Sequence, residues 1–200
     1  AVMAGCLPEY FPVVVTALSA ISDPAFGLHG PSASTHGPAI LIIVNGPVAK
    51  SIGLNHGQNL FGPGVRSNST IGRAIRLILM NAGGTREFDR STLGHGGKYS
   101  YCIAENETTE WQPLHIQKGY SQETSTVTVF AGEAPNQFQN HTAQKAESIL
   151  LTLADRMAAL GTFNINGHSE MAVVLCPEHY QTCQSCLLYT SDAADEIVRV

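Results

Sequence analysis

The stretch "AILIIVNGP", Ala39–Pro47, decides the fold. Its apolar run is short, continuous and rich in β-branched residues. That pattern predicts a buried strand over Ile40–Val44. The run stops at Asn45-Gly46-Pro47, a strong turn signal. Upstream, Phe11, Val14, Val15, Leu18 and Ile21 recur at helical spacing. The intervening "SDPAFGLHGPSASTHGP" is rich in Gly, Pro and Ser and reads as a loop. Downstream, "TIGRAIRLILMNAGG" predicts a helix capped by Asn68, Ser69 or Thr70. Ile71, Ile75, Ile78 and Leu79 would line its buried face, and Gly83 and Gly84 would end it.

Three further strands are expected at Tyr99–Ala104, Thr126–Phe130 and Ala172–Leu175. The clearest helix carries Ala146, Ile149, Leu150, Leu153 and Met157, with Gly161 as its stop. Helices thus alternate with short buried strands. The expected fold is α/β, with a mainly parallel or mixed sheet flanked by helices. Ligands of such sheets gather where strands end. Here those ends are "NGP", "AENE", "AGEAP" and "CPEH".

The tail "CLLYTSDAADEIVRV", Cys186–Val200, contains what a common transposase-derived sequencing adapter encodes in one frame. It is read as non-native and set aside. The "CQSC" spacing of Cys183 and Cys186 then arises by accident. The chain also opens without Met, which suggests a fragment incomplete at both ends. Residues 1–185 suit a single domain.

Composition narrows the function. The chain has 16 acidic and 11 basic residues, without the clustered cations that nucleic-acid binding needs. No apolar run reaches the roughly 18 residues of a membrane span. The remaining cysteines are scattered, so neither a disulfide framework nor a zinc site is suggested. A cytoplasmic setting is expected. His36, His56 and His115 fall in loop-like stretches without a metal-ligand motif, so no metal is expected, and the cofactor stays open.

Three groups carry candidate chemistry. Cys6 precedes the first helix with Glu9 at the capping-box offset. A thiolate there would be stabilised by the helix start. Pro12 opposes this placement, because it would fall inside a helix begun at Cys6. A buried, inert cysteine explains the same residue. Second, "GPGVRSNSTIGR" offers Arg66 and Arg73 with Asn68 and Thr70 as holders of a phosphate or carboxylate. An ordinary capped helix with surface arginines explains it equally well. Third, "YCIAENETTEWQPLH" is the densest polar cluster. Glu105 and His115 would form an acid–base pair, with Asn45 and Asn106 orienting. Glu105 and Glu107 would point to opposite faces of a continuing strand, so both can enter one site only if the chain turns there. Taken singly, a solvated loop charge explains each better; as a set they gain weight, because three strand ends can meet at one edge of the sheet.

The segments "AVMAGCLPEYFPVV", "NGP", "GPGVRSNSTIGRAIRL", "GKYSYCIAENE" with "WQPLH", and "VTVFAGEAP" resemble a family of bacterial proteins. That family is associated with UGSC-type (seleno)protein domains, in which selenocysteine or cysteine precedes Gly-Ser-Cys. The similarity runs from Ala1 to about Pro177. The UGSC segment itself is absent from this sequence. The resemblance implies an enzyme or enzyme subunit, strengthens Cys6 as a reactive thiol and makes the three groups look like parts of one site. It also raises a Cys/Sec-containing partner domain. The resulting expectation is thiol-dependent redox, lyase or transfer chemistry on a small anionic substrate. Two alternatives stand beside it: an acid–base lyase or hydrolase using Glu105 and His115, and a non-catalytic small-ligand-binding subunit.

Overall fold

The structure is a computed structural model and describes residues 1–84, 89–162, 170–187 and 197–199. In chain order the helices are α1 (Phe11–Ser22), α2 (His29–Ala33), α3 (Pro47–Ser51), α4 (Arg66–Asn81), α5 (Leu114–Gln117), α6 (Ala146–Met157) and α7 (Pro177–Leu187). The strands are β1 (Ala39–Asn45), β2 (Cys102–Ala104), β3 (Thr126–Gly132), β4 (Val173–Leu175) and β5 (Ile197–Arg199). The fold is α/β with a small mixed sheet, ordered β2-β1-β3. β1 pairs with β2 in parallel and with β3 in antiparallel register. No helix among the described residues is long and apolar enough to cross a membrane.

The chain divides into two compact units, Ala1–Pro135 and Asn136–Val200, inside the stretch read as one domain. In the second unit α6 and α7 bury Ala146, Ile149 and Cys183, with Phe138 and Leu150 beside them. Cys183 is therefore a core residue of that unit. β4 pairs in parallel with β5. Most of the tail read as non-native, residues 188–196 and 200, lies outside the described residues.

In the first unit β1 is central, and its two faces are buried differently. Strand alternation sends Ile42 and Val44 to one face, with Cys102 and Ala104 of β2 and Val127 and Val129 of β3. That face packs on α1 and α4 through Val13, Val14, Ala17, Ile21, Ile71, Ala74, Ile75 and Leu79. Leu41, Ile43 and Asn45 point the other way, in line with Ile103 and Thr126. Truncating a residue such as Ile42 to Ala would cost about 2–5 kcal/mol.

Two helices depart from expectation in informative ways. α1 begins at Phe11 with Pro12 in its first turn, where a missing N–H costs nothing. Its buried face is Val13, Val14, Ala17 and Ile21, so Phe11 (55 % exposed) and Val15 turn outward. α4 begins at Arg66, two to four residues before the expected caps, and no side chain caps it. Asn68, Ser69 and Thr70 therefore lie inside the helix. Gly72 explains how closely α4 sits on β2. A Cβ there would stand 2.5 Å from both Ser100 Oγ and Tyr101 N.

Candidate functional site

The expected residues sort onto opposite faces of the sheet. On the helix-covered face, half-buried Cys6 packs against the core beside Cys102. Its thiol donates to the Thr70 carbonyl at 3.3 Å. Cys6 does not cap a helix, since α1 starts only at Phe11. Arg66 Nε donates to the Gly5 carbonyl at 3.0 Å, which ties α4 to the N-terminal segment. The Thr70 hydroxyl donates to the Arg66 carbonyl at 2.8 Å. Asn68 is a buried clamp. Its Oδ1 accepts from Asn55 N at 2.8 Å, and its Nδ2 donates to the Cys102 carbonyl at 3.0 Å. The donors expected to hold an anion are thus largely engaged with the chain's own backbone. Arg73 is half-buried and has no hydrogen bond or ion pair among the described residues. Burial, with Cys6 nearby, pushes the Cys102 thiol far up, as suits a core residue.

The other face holds a different assembly. Asn45 ends β1 pointing away from α1 and α4. Its Nδ2 donates to Glu105 Oε2 at 2.5 Å and to Glu107 Oε1 at 3.0 Å. Glu105 follows β2 and is 3 % exposed. Its Oε2 also accepts from Leu114 N at 2.9 Å, at the start of α5. Glu107 Oε1 accepts a second bond, from Gly46 N at 2.6 Å. The ring of His115, on α5, is fully buried, with Nδ1 3.7 Å from Glu107 Oε1.

A turn makes this convergence possible. β2 stops at Ala104, and Asn106 Oδ1 accepts from Thr108 N at 3.2 Å and from Thr108 Oγ1 at 2.6 Å. This Asx turn folds the chain back, so Glu105 and Glu107 reach the same amide rather than opposite faces. Asn106, expected to orient a substrate, shapes the turn that carries Glu107.

Several buried polar atoms of this region have no hydrogen-bond partner: Asn45 Oδ1, both ring nitrogens of His115, and Thr126 Oγ1. Thr126 is the β3 residue directly opposite Asn45, so their side chains share a face. Each unpaired buried group costs about 1–3 kcal/mol.

Sequence reasoning found Asn45, Glu105 and His115 and saw that Glu107 needs a turn. It missed Gly46 N and Thr126. "NGP" at the end of a buried strand marks Gly46. Thr126 depends on the β1–β3 register, which one sequence does not print. Glu133, another strand-end carboxylate, pairs with His36 at 3.3 Å, with both side chains about half exposed. Among the described residues no three His, Cys, Asp or Glu side chains are spaced to hold a metal ion.

What the fold and site define is an α/β unit with a buried carboxylate–amide–imidazole cluster where β1 and β2 end. Comparison with family models, with curated proteins and with solved structures gave no match for this chain.

Proposed function

We propose that the chain is an acid–base enzyme of the lyase or hydrolase class, with His115 as the proton-transfer group. The observation that supports this most is the buried imidazole, 2 % exposed, with neither nitrogen hydrogen-bonded and a carboxylate oxygen 3.7 Å from Nδ1. With its proton on Nδ1, facing Glu107, the ring leaves Nε2 as a base. Nε2 then takes a proton from a substrate C–H or from water. The imidazolium that results is stabilised by the adjacent carboxylate and returns the proton to the leaving group. Asn45 and Glu105 are positioning residues. They tie the end of β1 to the start of α5 and so set the ring's place.

The test is turnover of a panel of small carboxylic acids and their esters and amides, followed by NMR. Wild type and Cys6→Ala should turn over the same compound, and His115→Ala should lose it. Equal activity in His115→Ala would remove the acid–base reading.

A second reading, thiol-dependent chemistry at Cys6, draws support from Arg66, whose guanidinium is bonded at the neighbouring residue's carbonyl. Against it, the Cys6 thiol is engaged within the chain, donating to the Thr70 carbonyl at 3.3 Å. Loss of turnover in Cys6→Ala with retention in His115→Ala would install this reading instead.

A further inference from the structure

Glu107 differs from its neighbours in the cluster. Asn45 belongs to β1, Glu105 directly follows β2 and His115 belongs to α5, whereas Glu107 sits on a turn with its side chain 28 % exposed. A single oxygen of Glu107, Oε1, is met by Gly46 N–H at 2.6 Å and Asn45 Nδ2 at 3.0 Å, with His115 Nδ1 at 3.7 Å. Three nitrogen groups, from the end of β1, the residue after it and α5, thus converge on one carboxylate oxygen delivered by a turn. The hole is built into the backbone. Gly46 has φ 82°, and a Cβ there would lie 2.4 Å from the Thr124 carbonyl, so only glycine presents this N–H. The His115 ring is fully buried, and neither of its nitrogens has a hydrogen-bond partner, which leaves unmet bonding capacity aimed at the hole.

We infer that this hole is the subsite for a carboxylate of the substrate, and that Glu107 fills it as an internal stand-in until the substrate displaces it. The inference rests on the acid–base reading and names its substrate class. Charge favours the exchange. Glu105 already places one carboxylate on Asn45 Nδ2, so an anion added beside Glu107 would meet two like charges. An anion that replaces Glu107 leaves the local charge unchanged. A planar monoanionic carboxylate matches what leaves in both charge and shape. A phosphate dianion matches neither. Displacement needs only rotation of Glu107 on its exposed turn. The substrate carboxylate then takes the bonds from Gly46 and Asn45 and faces His115 Nδ1, while Nε2 remains available for the proton.

The test uses acetate as the probe, on the full chain, against chloride at matched ionic strength. The readouts are the Gly46 amide and His115 ring signals in NMR titration. In wild type, acetate competes with Glu107 and binds weakly. In Glu107→Ala the competitor is gone, and acetate should bind on the order of tenfold more tightly, as expected when an internal ligand occupies its site about nine-tenths of the time. Glu107→Gln keeps the side-chain shape without its charge and should bind acetate more tightly than wild type. It carries the test if the alanine variant does not fold. Asn45→Ala in the same background should abolish the gain. Acetate binding no tighter in either Glu107 variant than in wild type overturns the inference, as does tighter binding without a Gly46 shift. Binding is read without turnover, so a failed acid–base reading would show separately, as full activity in His115→Ala.

Discussion

The candidate residues, expected to share one site, fall on the two faces of the small sheet, and the two clusters are built on different principles. Around Cys6, polar groups close on one another. The thiol, the Thr70 hydroxyl, Arg66 Nε and both ends of the Asn68 amide all meet backbone partners. That is how a helix is fastened to a strand and to an N-terminal segment. Around Asn45, some groups bond tightly while others stay buried and unpaired. A structural joint satisfies its donors and acceptors. A binding site leaves some for its ligand. The contrast separates the two clusters by how far their bonding capacity is met, not by residue type.

The largest way to break this contrast is through His115. His115→Ala should lower kcat by about 10²–10⁴-fold, the usual contribution of a positioned acid–base group. Stopped-flow or NMR rates on a compound that wild type turns over would check it. Next is Glu105→Ala, which takes the acceptor from one N–H of Asn45 Nδ2 and from Leu114 N–H. Stability should fall by about 1–3 kcal/mol for each donor left buried and unpaired, read from urea midpoints. Gly72→Ala should destabilise by about 1–3 kcal/mol, because the new methyl presses on Ser100 and Tyr101. It should do so without changing acetate binding, since Gly72 lies on the helix-covered face.

Smaller effects sharpen the comparison through pH. Burial lowers the pKa of His95, and Lys98 lowers it further, while the Gly132 backbone and Glu133 act the other way. The unfolded chain therefore takes up this proton more readily than the folded one. His95 imposes no penalty above about pH 6.5 and costs stability as pH falls below it. Burial alone would raise the Asp89 carboxyl, but bonds from Ser91, Arg76 and Lys98 outweigh it and hold it far below the usual range. Its contribution is full above about pH 4 and is lost only as pH falls well beneath that. Urea midpoints against pH should show a mild decline below about 6.5 that His95→Gln removes. A second decline in strong acid should vanish in Asp89→Asn.

Much of the scaffold was legible because it rests on periodicity. β1 declared itself by an uninterrupted apolar run, and α4 by Ile71, Ile75 and Leu79, all buried as expected. Helix starts were less legible. α1 and α4 lack side-chain caps, so their beginnings are set by Pro12 and by packing rather than by a capping residue. Asn68 looked like a cap or an anion holder and became a clamp, because its partners at Asn55 and Cys102 are distant in sequence. Glu107 shows the same limit from the other side. The need for a turn was readable at "AENE", but the convergence on Gly46 and Asn45 depends on which strands pair.

The most direct measurement compares kcat/KM of Cys6→Ala and His115→Ala, side by side, on one carboxylate compound that the wild-type chain turns over. The account predicts a near-wild-type value for the cysteine variant and a collapse for the histidine variant. The reverse pattern would contradict it, placing the chemistry on the helix-covered face and leaving the Asn45 cluster as a structural joint.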